Sequence, residues 1–429
     1  MAQASASEVV PTGFLPRAPR SVEETGLNLG FLIDLALKVM YFEGFLSGYE
    51  LAERMKLPYA GVVDQVLEFL KREKLCEVKG AGGFAEAAYQ YAISDKGRLM
   101  AREALDRSHY AGPAPVPLAV YSDAIRQQSL GQIVVHQRTM RQALAHLVIN
   151  EETFAQLGPA VNSGKSIFLF GPPGNGKTVI AEAIGKMIMS GTIYIPYAVE
   201  VDGQVIKVFD NVNHVRAEAP AGGRNVDPRW VCIRRPMIMV GGELTLETLD
   251  LVYDETNKYY EAPFQMKANG GMLLIDDFGR QQVRPRDLLN RWIVPLEKRV
   301  DFLTLHTGRK IEVPFDVLIV FATNLAPKDL VDEAFLRRIR HKIEIKNPTF
   351  DEYREIFRRV CQAKGVPYDD RGLAYLLQEH YIKPKRPLRA CHPRDLVEQL
   401  CDIARYLNVP PTLSPDLIDR AASAYFVEL

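Results

Sequence analysis

The residues with the clearest chemistry are Gly171, Pro172, Pro173, Gly174, Asn175, Gly176, Lys177 and Thr178. Glycines at this spacing let successive backbone N–H groups turn toward one anion, a conformation that bulkier residues resist. Lys177 can then set its ammonium on the outer phosphates of a nucleotide, and Thr178 can offer its hydroxyl to Mg²⁺. The flanking residues suit that task. Ser166–Phe170 is an apolar, strand-like run, and Val179–Ile184 has helical spacing, so the loop links a strand to a helix. The positive end of that helix faces the same anion. The stretch predicts a phosphate-binding loop that takes ATP and Mg²⁺.

A second signature is Gly270-Gly271-Met272-Leu273-Leu274-Ile275-Asp276-Asp277-Phe278-Gly279. Apolar residues ending in two acids describe a buried parallel strand with carboxylates at its C-terminal edge, where ligands gather in open α/β sheets. Asp276 is placed to hold Mg²⁺ and Asp277 to orient or deprotonate the attacking water. A third apolar run, Val317–Ala322, ends in Thr323-Asn324, and Asn324 can hydrogen-bond the γ-phosphate or that water. Further on, Asp332–His341 contains the cluster Arg337, Arg338, Arg340 and His341. Cations at a helix end also complement the helix dipole, or simply form a solvated face.

These motifs need an α/β framework, a parallel sheet of the P-loop NTPase kind, followed by helices. Thr349-Phe350-Asp351-Glu352 is a capping box opening a helix to about Lys364. Helical patterns follow at Arg371–Tyr381, at Pro393–Leu407 and at Pro415–Val427. In this order the motifs resemble those of the AAA+ ATPases, over roughly residues 126–429. The resemblance implies a nucleotide-binding domain over 126–347 and a C-terminal helical lid over 348–429. It implies that Arg338, or its neighbour Arg337, is a finger reaching a neighbouring subunit's nucleotide. His392-Pro393-Arg394-Asp395-Leu396 is similar to the family's second sensor, which implies that Arg394 meets the phosphates from the lid. It also implies a ring, hexameric by expectation, that hydrolyses ATP to remodel a protein client in chaperone-like fashion.

The sequence departs from the family at Asp277, where Glu is usual, and the shorter side chain admits slow hydrolysis or a nucleotide-gated switch. Asp-Asp-Phe-Gly also occurs in ATPases of transposition and helicase loading, so a DNA-directed ATPase is the rival reading. Between the phosphate loop and Asp276 lies a candidate hairpin, Ala198–Val208, turning at Asp202-Gly203. Gly222–Asp227 reads as a loop, and Gly241–Pro263 carries Tyr253, Tyr259 and Tyr260. A second hairpin, Val300–Val313, turns at Thr307-Gly308. The two insert placements resemble those of the MoxR-type and enhancer-binding ATPases, which implies pore-facing elements. The aromatics suit packing in the domain core equally well.

N-terminal to all this, residues 1–20 read as a disordered Ala/Ser/Pro-rich tail, and 109–125 as a Pro-rich linker. Residues 21–108 alternate helices and short strands around Gly80–Gly83 and resemble a winged-helix domain. Acids outnumber bases in this unit, and the front of its third helix offers Asp64, Gln65 and Glu68 rather than cations. That favours docking to a protein client or adaptor over binding DNA.

Composition narrows the class. The 429 residues are 47% hydrophobic and 25% charged with formal net charge zero, which gives no bulk attraction to nucleic acid or anionic lipid. No apolar run spans a membrane. Five scattered cysteines, without metal-ligand spacing, read as reduced thiols of a cytoplasmic protein.

Overall fold

In the computed structural model, which describes residues 14–81, 86–218, 225–326, 330 and 336–427, Ser166–Phe170 is an interior strand. It lies between Leu318–Thr323 and His341–Glu344, and the sheet continues through Met272–Ile275 to Met237–Val240. Every pairing in this sheet is parallel. Met272–Ile275 and Leu318–Thr323 are buried at each position, which explains their unbroken apolar character: both faces of the sheet are covered. One face packs Ile167, Leu169 and Val320 against Ile180 and Ile184 of the Lys177–Ile188 helix. The other packs Phe168, Ile275 and Phe321 against Phe278 and Trp292. This is the α/β parallel sheet that a P-loop nucleotide-binding domain needs. Strand order reverses at Ser166–Phe170, so a crevice opens at the C-terminal strand ends beside it.

The Ala198–Val201 and Gln204–Lys207 strands form the expected hairpin, with Asp202 (φ 52°) and Gly203 (φ 79°) both left-handed at its turn. The hairpin belongs to a second five-stranded sheet that also takes in Val252–Asp254, Tyr259–Glu261 and Val116–Pro117. The later hairpin pairs Val300–Thr304 with Lys310–Pro314. The aromatics pack inward. Tyr260 is buried and its hydroxyl bonds His306, whose ring stacks on Tyr253 at 4.4 Å, while Tyr259 meets Tyr110 edge-on at 5.7 Å. Between the two placements open in the sequence, packing describes these three residues. Of the Gly222–Asp227 loop, residues 222–224 lie outside the described residues; Val226 bridges to Arg17.

N-terminally, the helices Leu29–Glu43, Gly48–Met55, Asp64–Arg72 and Asp95–Arg107 pack on an antiparallel sheet ordered Phe45–Ser47, Tyr89–Ile93, Cys76–Ala81. Ser47 and Glu50 cap the second helix reciprocally. The three-residue strand Phe45–Ser47 is too short for its period to register in sequence. The turn expected at Gly80–Gly83 lies outside the described residues from 82 onward.

Two expectations are corrected here. The tail expected to be disordered to residue 20 is ordered from Phe14, which packs on Trp230 while Asp227 N–H donates to Pro16 O. The linker expected over 109–125 is built into the fold. Val116–Pro117 is a strand beside Val199–Glu200, Leu118–Gln127 is a helix, and Ala114 and Val116 are fully buried. Proline tolerates edge pairing because it forfeits only one donor, so its abundance did not exclude structure.

The C-terminal helices are Phe350–Lys364, Asp370–Leu377, His392–Leu407 and Pro415–Tyr425. The Thr349/Glu352 capping box opens the first as its sequence predicts. They close on their own core of Tyr353, Phe357, Leu373, Leu396, Leu400 and Ile418.

Candidate functional site

The loop after Phe170 carries left-handed glycines at 171, 174 and 176, and the helix starts at Lys177. Gly171 is required by space as well as by φ (136°): a Cβ there meets Ile345 O at 2.3 Å. Lys177 Nζ donates to Gly171 O (3.0 Å) and Pro172 O (2.9 Å). Burial pushes the Lys177 ammonium below its ordinary pKa, opposed by the nearby carboxylates of Asp276 and Asp277.

Asp276 leaves the end of its strand directly opposite the loop. The Thr178 hydroxyl donates to its carboxylate at 2.9 and 3.2 Å. Asp277 follows in a left-handed backbone conformation (φ 48°), and the turn is closed by Gln281, whose amide donates to Asp276 O and Asp277 O. Asn324, past the end of the neighbouring strand, donates to Asp277 Oδ1 at 3.4 Å. Lys177, Thr178, Asp276, Asp277 and Asn324 therefore converge on one cleft of about 470 Å³.

The lid supplies the opposite wall. Arg394 lines the cleft with its guanidinium on Asp395 (2.9 Å), a pairing that raises its already high pKa. Val148, Ile149, Ile180, Ile356 and Val360 add an apolar lining to the same cleft, of the kind that suits a planar base. Arg359 ties that end down by donating to Ala145 O at 2.9 Å.

Arg337 and Arg338 are not brought to the cleft. Arg337 is exposed. Arg338 is 29% exposed, with Nε on Glu297 Oε1 at 2.6 Å. Arg338, expected as a finger toward a neighbouring subunit, has a carboxylate partner in its own chain. Residues 332–335 of the Asp332–His341 stretch lie outside the described residues.

Sequence reasoning missed Gln281, Asn347, Arg359 and Arg389. Asn347, Arg359 and Arg389 act on backbone or amide groups distant in the chain, which no local spacing announces, and Gln281 reaches back only four and five residues but belongs to no motif. His392 is buried with Nδ1 on the Tyr381 hydroxyl (2.9 Å), and burial, together with the nearby Arg389 and Arg386, pushes its pKa down to about 4. Among the described residues no cluster of His, Cys, Asp and Glu has the make-up of a metal site, all five cysteines are free, and no helix is long and apolar enough to cross a membrane.

A family model described as "Domain of unknown function (DUF8689)" matches residues 349–424, the lid helices. The chain is 26% identical over 249 residues to spastin of Anopheles gambiae, covering 58% of this chain and 24% of that protein. It is 24% identical over 260 residues to the proteasome-associated ATPase of Stackebrandtia nassauensis, covering 58% of this chain and 36% of the relative. The chain thus spans about a quarter to a third of the length of these relatives. Solved structures with similarity include a RuvB mutant of Thermotoga maritima (TM-score 0.40, 14% identity, 65% of this chain and 71% of that one). Another is NtrX of Brucella abortus in complex with ADP (TM-score 0.36, 15% identity, 83% and 59%). Motif order, strand order and the sequence similarities together support an AAA+ ATPase assignment for this chain.

Proposed function

We propose that this chain is a Mg²⁺-dependent ATP hydrolase of the cytoplasm. It works as a hexameric ring that remodels a protein partner recruited through the N-terminal unit, read as a winged helix. The observation that carries the catalytic part is the Thr178 hydroxyl held on the Asp276 carboxylate, at the mouth of a loop whose lysine is already buried. These two groups are hard oxygen donors, which suits Mg²⁺. When bound, that ion neutralises phosphate charge.

The chain's own residues do the rest. Backbone N–H groups of the Gly171–Thr178 loop and the Lys177 ammonium hold the β- and γ-phosphates, and Arg394 adds positive charge from the lid. Asp277 orients the attacking water and takes its proton as the new P–O bond forms and the bond to the leaving diphosphate breaks. Asn324 steadies the Asp277 carboxylate. Calorimetry with Lys177→Ala tests the binding step. Loss of ATP affinity in a folded variant is expected, and unchanged affinity overturns the reading.

A slow ATP-gated switch is the second reading, favoured by the left-handed backbone at Asp277 and its short side chain. Asp277→Asn separates the two: it retains ATP binding and loses turnover if Asp277 is the catalytic carboxylate. Turnover at the parental rate favours the switch. The finger role passes to Arg337 before Arg338, because the Glu297 pair must break before Arg338 can reach a neighbour. Arg337→Ala chains mixed with Lys177→Ala chains should recover hydrolysis in hybrid rings, and Arg338→Ala tested in the same mixture ranks the two. DNA remains the competing partner class. The acid-bearing front of the third N-terminal helix favours a protein, and salt-dependent DNA binding by the full chain would reverse that preference.

A further inference from the structure

Three consecutive residues of the lid meet three consecutive residues of the phosphate loop. Arg389 Nη1 donates to Pro173 O at 2.6 Å. Cys391 N–H donates to Gly174 O at 2.8 Å. Ala390 N–H donates to Asn175 Oδ1 at 3.1 Å, while the same side chain donates through Nδ2 to Asn347 Oδ1 at 2.8 Å. Asn175 is 7% exposed, so its carboxamide is a buried group with both ends satisfied. The approach is close: a Cβ on Gly174 lies 2.5 Å from Cys391 Sγ.

These bonds fix more than the lid. In a trans peptide the C=O of one residue and the N–H of the next point in opposite directions, and the described residues contain no cis bond. Pro173 O drawn outward to Arg389 therefore aims Gly174 N–H the other way. Gly174 O drawn outward to Cys391 likewise aims Asn175 N–H away from the lid segment. Pro172 and Pro173 carry no N–H, so after Gly171 these are the first donors the loop can offer an anion.

We propose that Arg389–Cys391 is a strap that presets the loop's phosphate donors, with Arg389 and Asn175 as its positioning residues. This rests on the nucleotide-binding reading above and deepens it: affinity for the phosphates is set partly by where the lid sits. Asn175 and Ala390 also border Val148, Ile149, Ile180 and Ile356, whereas Arg389 reaches only the Pro173 carbonyl from outside the cleft lining, so Arg389 gives the test a readout that general damage does not mimic.

The full chain is titrated with ADP and with adenosine as Arg389→Ala, Asn175→Ala and Arg389→Lys, beside wild type and Lys177→Ala, with folding checked by thermal melting. Losing these hydrogen bonds, one in Arg389→Ala and two in Asn175→Ala, is expected to weaken ADP about tenfold or more, with adenosine binding unchanged in Arg389→Ala and Arg389→Lys restoring most of the loss. Arg389, only half-buried, keeps the test valid should the buried Asn175→Ala variant fail to fold. ADP affinity at the wild-type level in both folded alanine variants, or adenosine weakened as much as ADP in Arg389→Ala, overturns the strap. If Lys177→Ala loses ADP while the strap variants keep it, the strap alone falls. If the wild type itself does not bind ADP, the nucleotide reading falls with it.

Discussion

The core sheet is joined to its neighbours by two junctions of opposite construction. On the N-terminal side Arg229 and Asp227, 4% and 3% exposed, form a buried pair, and Arg229 also donates to Thr25 O and Pro115 O. Backbone bonds Ala114 N–Met55 O (2.7 Å) and His109 N–Asn257 O (2.9 Å) reinforce it. On the lid side the contacts with the loop are single hydrogen bonds, one to the buried Asn175 carboxamide and the others from the half-buried Arg389 and the Cys391 N–H, with no ion pair among them. A buried pair, by contrast, leaves an uncompensated charge behind when one partner is removed. One junction is anchored by a buried ion pair, and the other rests on hydrogen bonds.

The comparison is broken most directly at Arg229. Arg229→Ala leaves the Asp227 carboxylate buried without its partner, and a loss of about 3–5 kcal/mol in a denaturant titration is expected. A variant melting like wild type would show that the buried pair does not anchor the N-terminal junction.

Acid tests the lid next. His392 is kept neutral in the fold, with a pKa near 4, whereas an unfolded histidine protonates at about 6.5. The unfolded chain therefore takes up more protons between those values. Stability is fully present above about pH 6.5 and falls as pH drops toward 4, by on the order of 3 kcal/mol. Denaturant midpoints across this window should slope less for His392→Phe than for wild type, with a residual slope from His214 and His341, whose burial also lowers their pKa. An equal slope in both would assign the acid sensitivity elsewhere.

Gly174→Ala sharpens the lid contact itself. Its left-handed φ of 78° and the 2.5 Å approach to Cys391 Sγ both oppose a side chain, at roughly 1–3 kcal/mol. Adding Cys391→Ala should restore the steric part and leave the backbone part, as read from melting temperatures. The smallest effect belongs to Arg394→Ala. Its side chain is 62% exposed and, among the described residues, bonded to its sequence neighbour Asp395, so stability should change by within about 0.5 kcal/mol, while nucleotide affinity drops.

What could be read from sequence follows the range of the forces involved. Glycines at 171, 174 and 176, the apolar strands ending in Asp276 and Asn324, and the Thr349/Glu352 cap are decided by neighbours within a few residues, and they stand where expected. The strand at Val116–Pro117, the packed Tyr253–His306 pair and the bonds of Asn175 to Asn347 and Ala390 depend on partners tens to hundreds of positions away. Arg338 shows the limit within a single residue. Its place at a basic helix end is visible in the sequence, but Glu297, which claims its charge, is not.

The left-handed turn at Asp277 has a consequence for anyone redesigning this chain. Asp takes φ near 48° readily because its short polar side chain can hydrogen-bond locally. Longer side chains hold the same conformation elsewhere in the chain, at Lys56, Lys74, Lys258, Arg299 and Lys385, with φ of 52–61°. Glu installed at this position can therefore keep the turn that Gln281 clasps while carrying the carboxylate beyond Asn324. A faster variant can be sought at the acid alone, with the turn left in place.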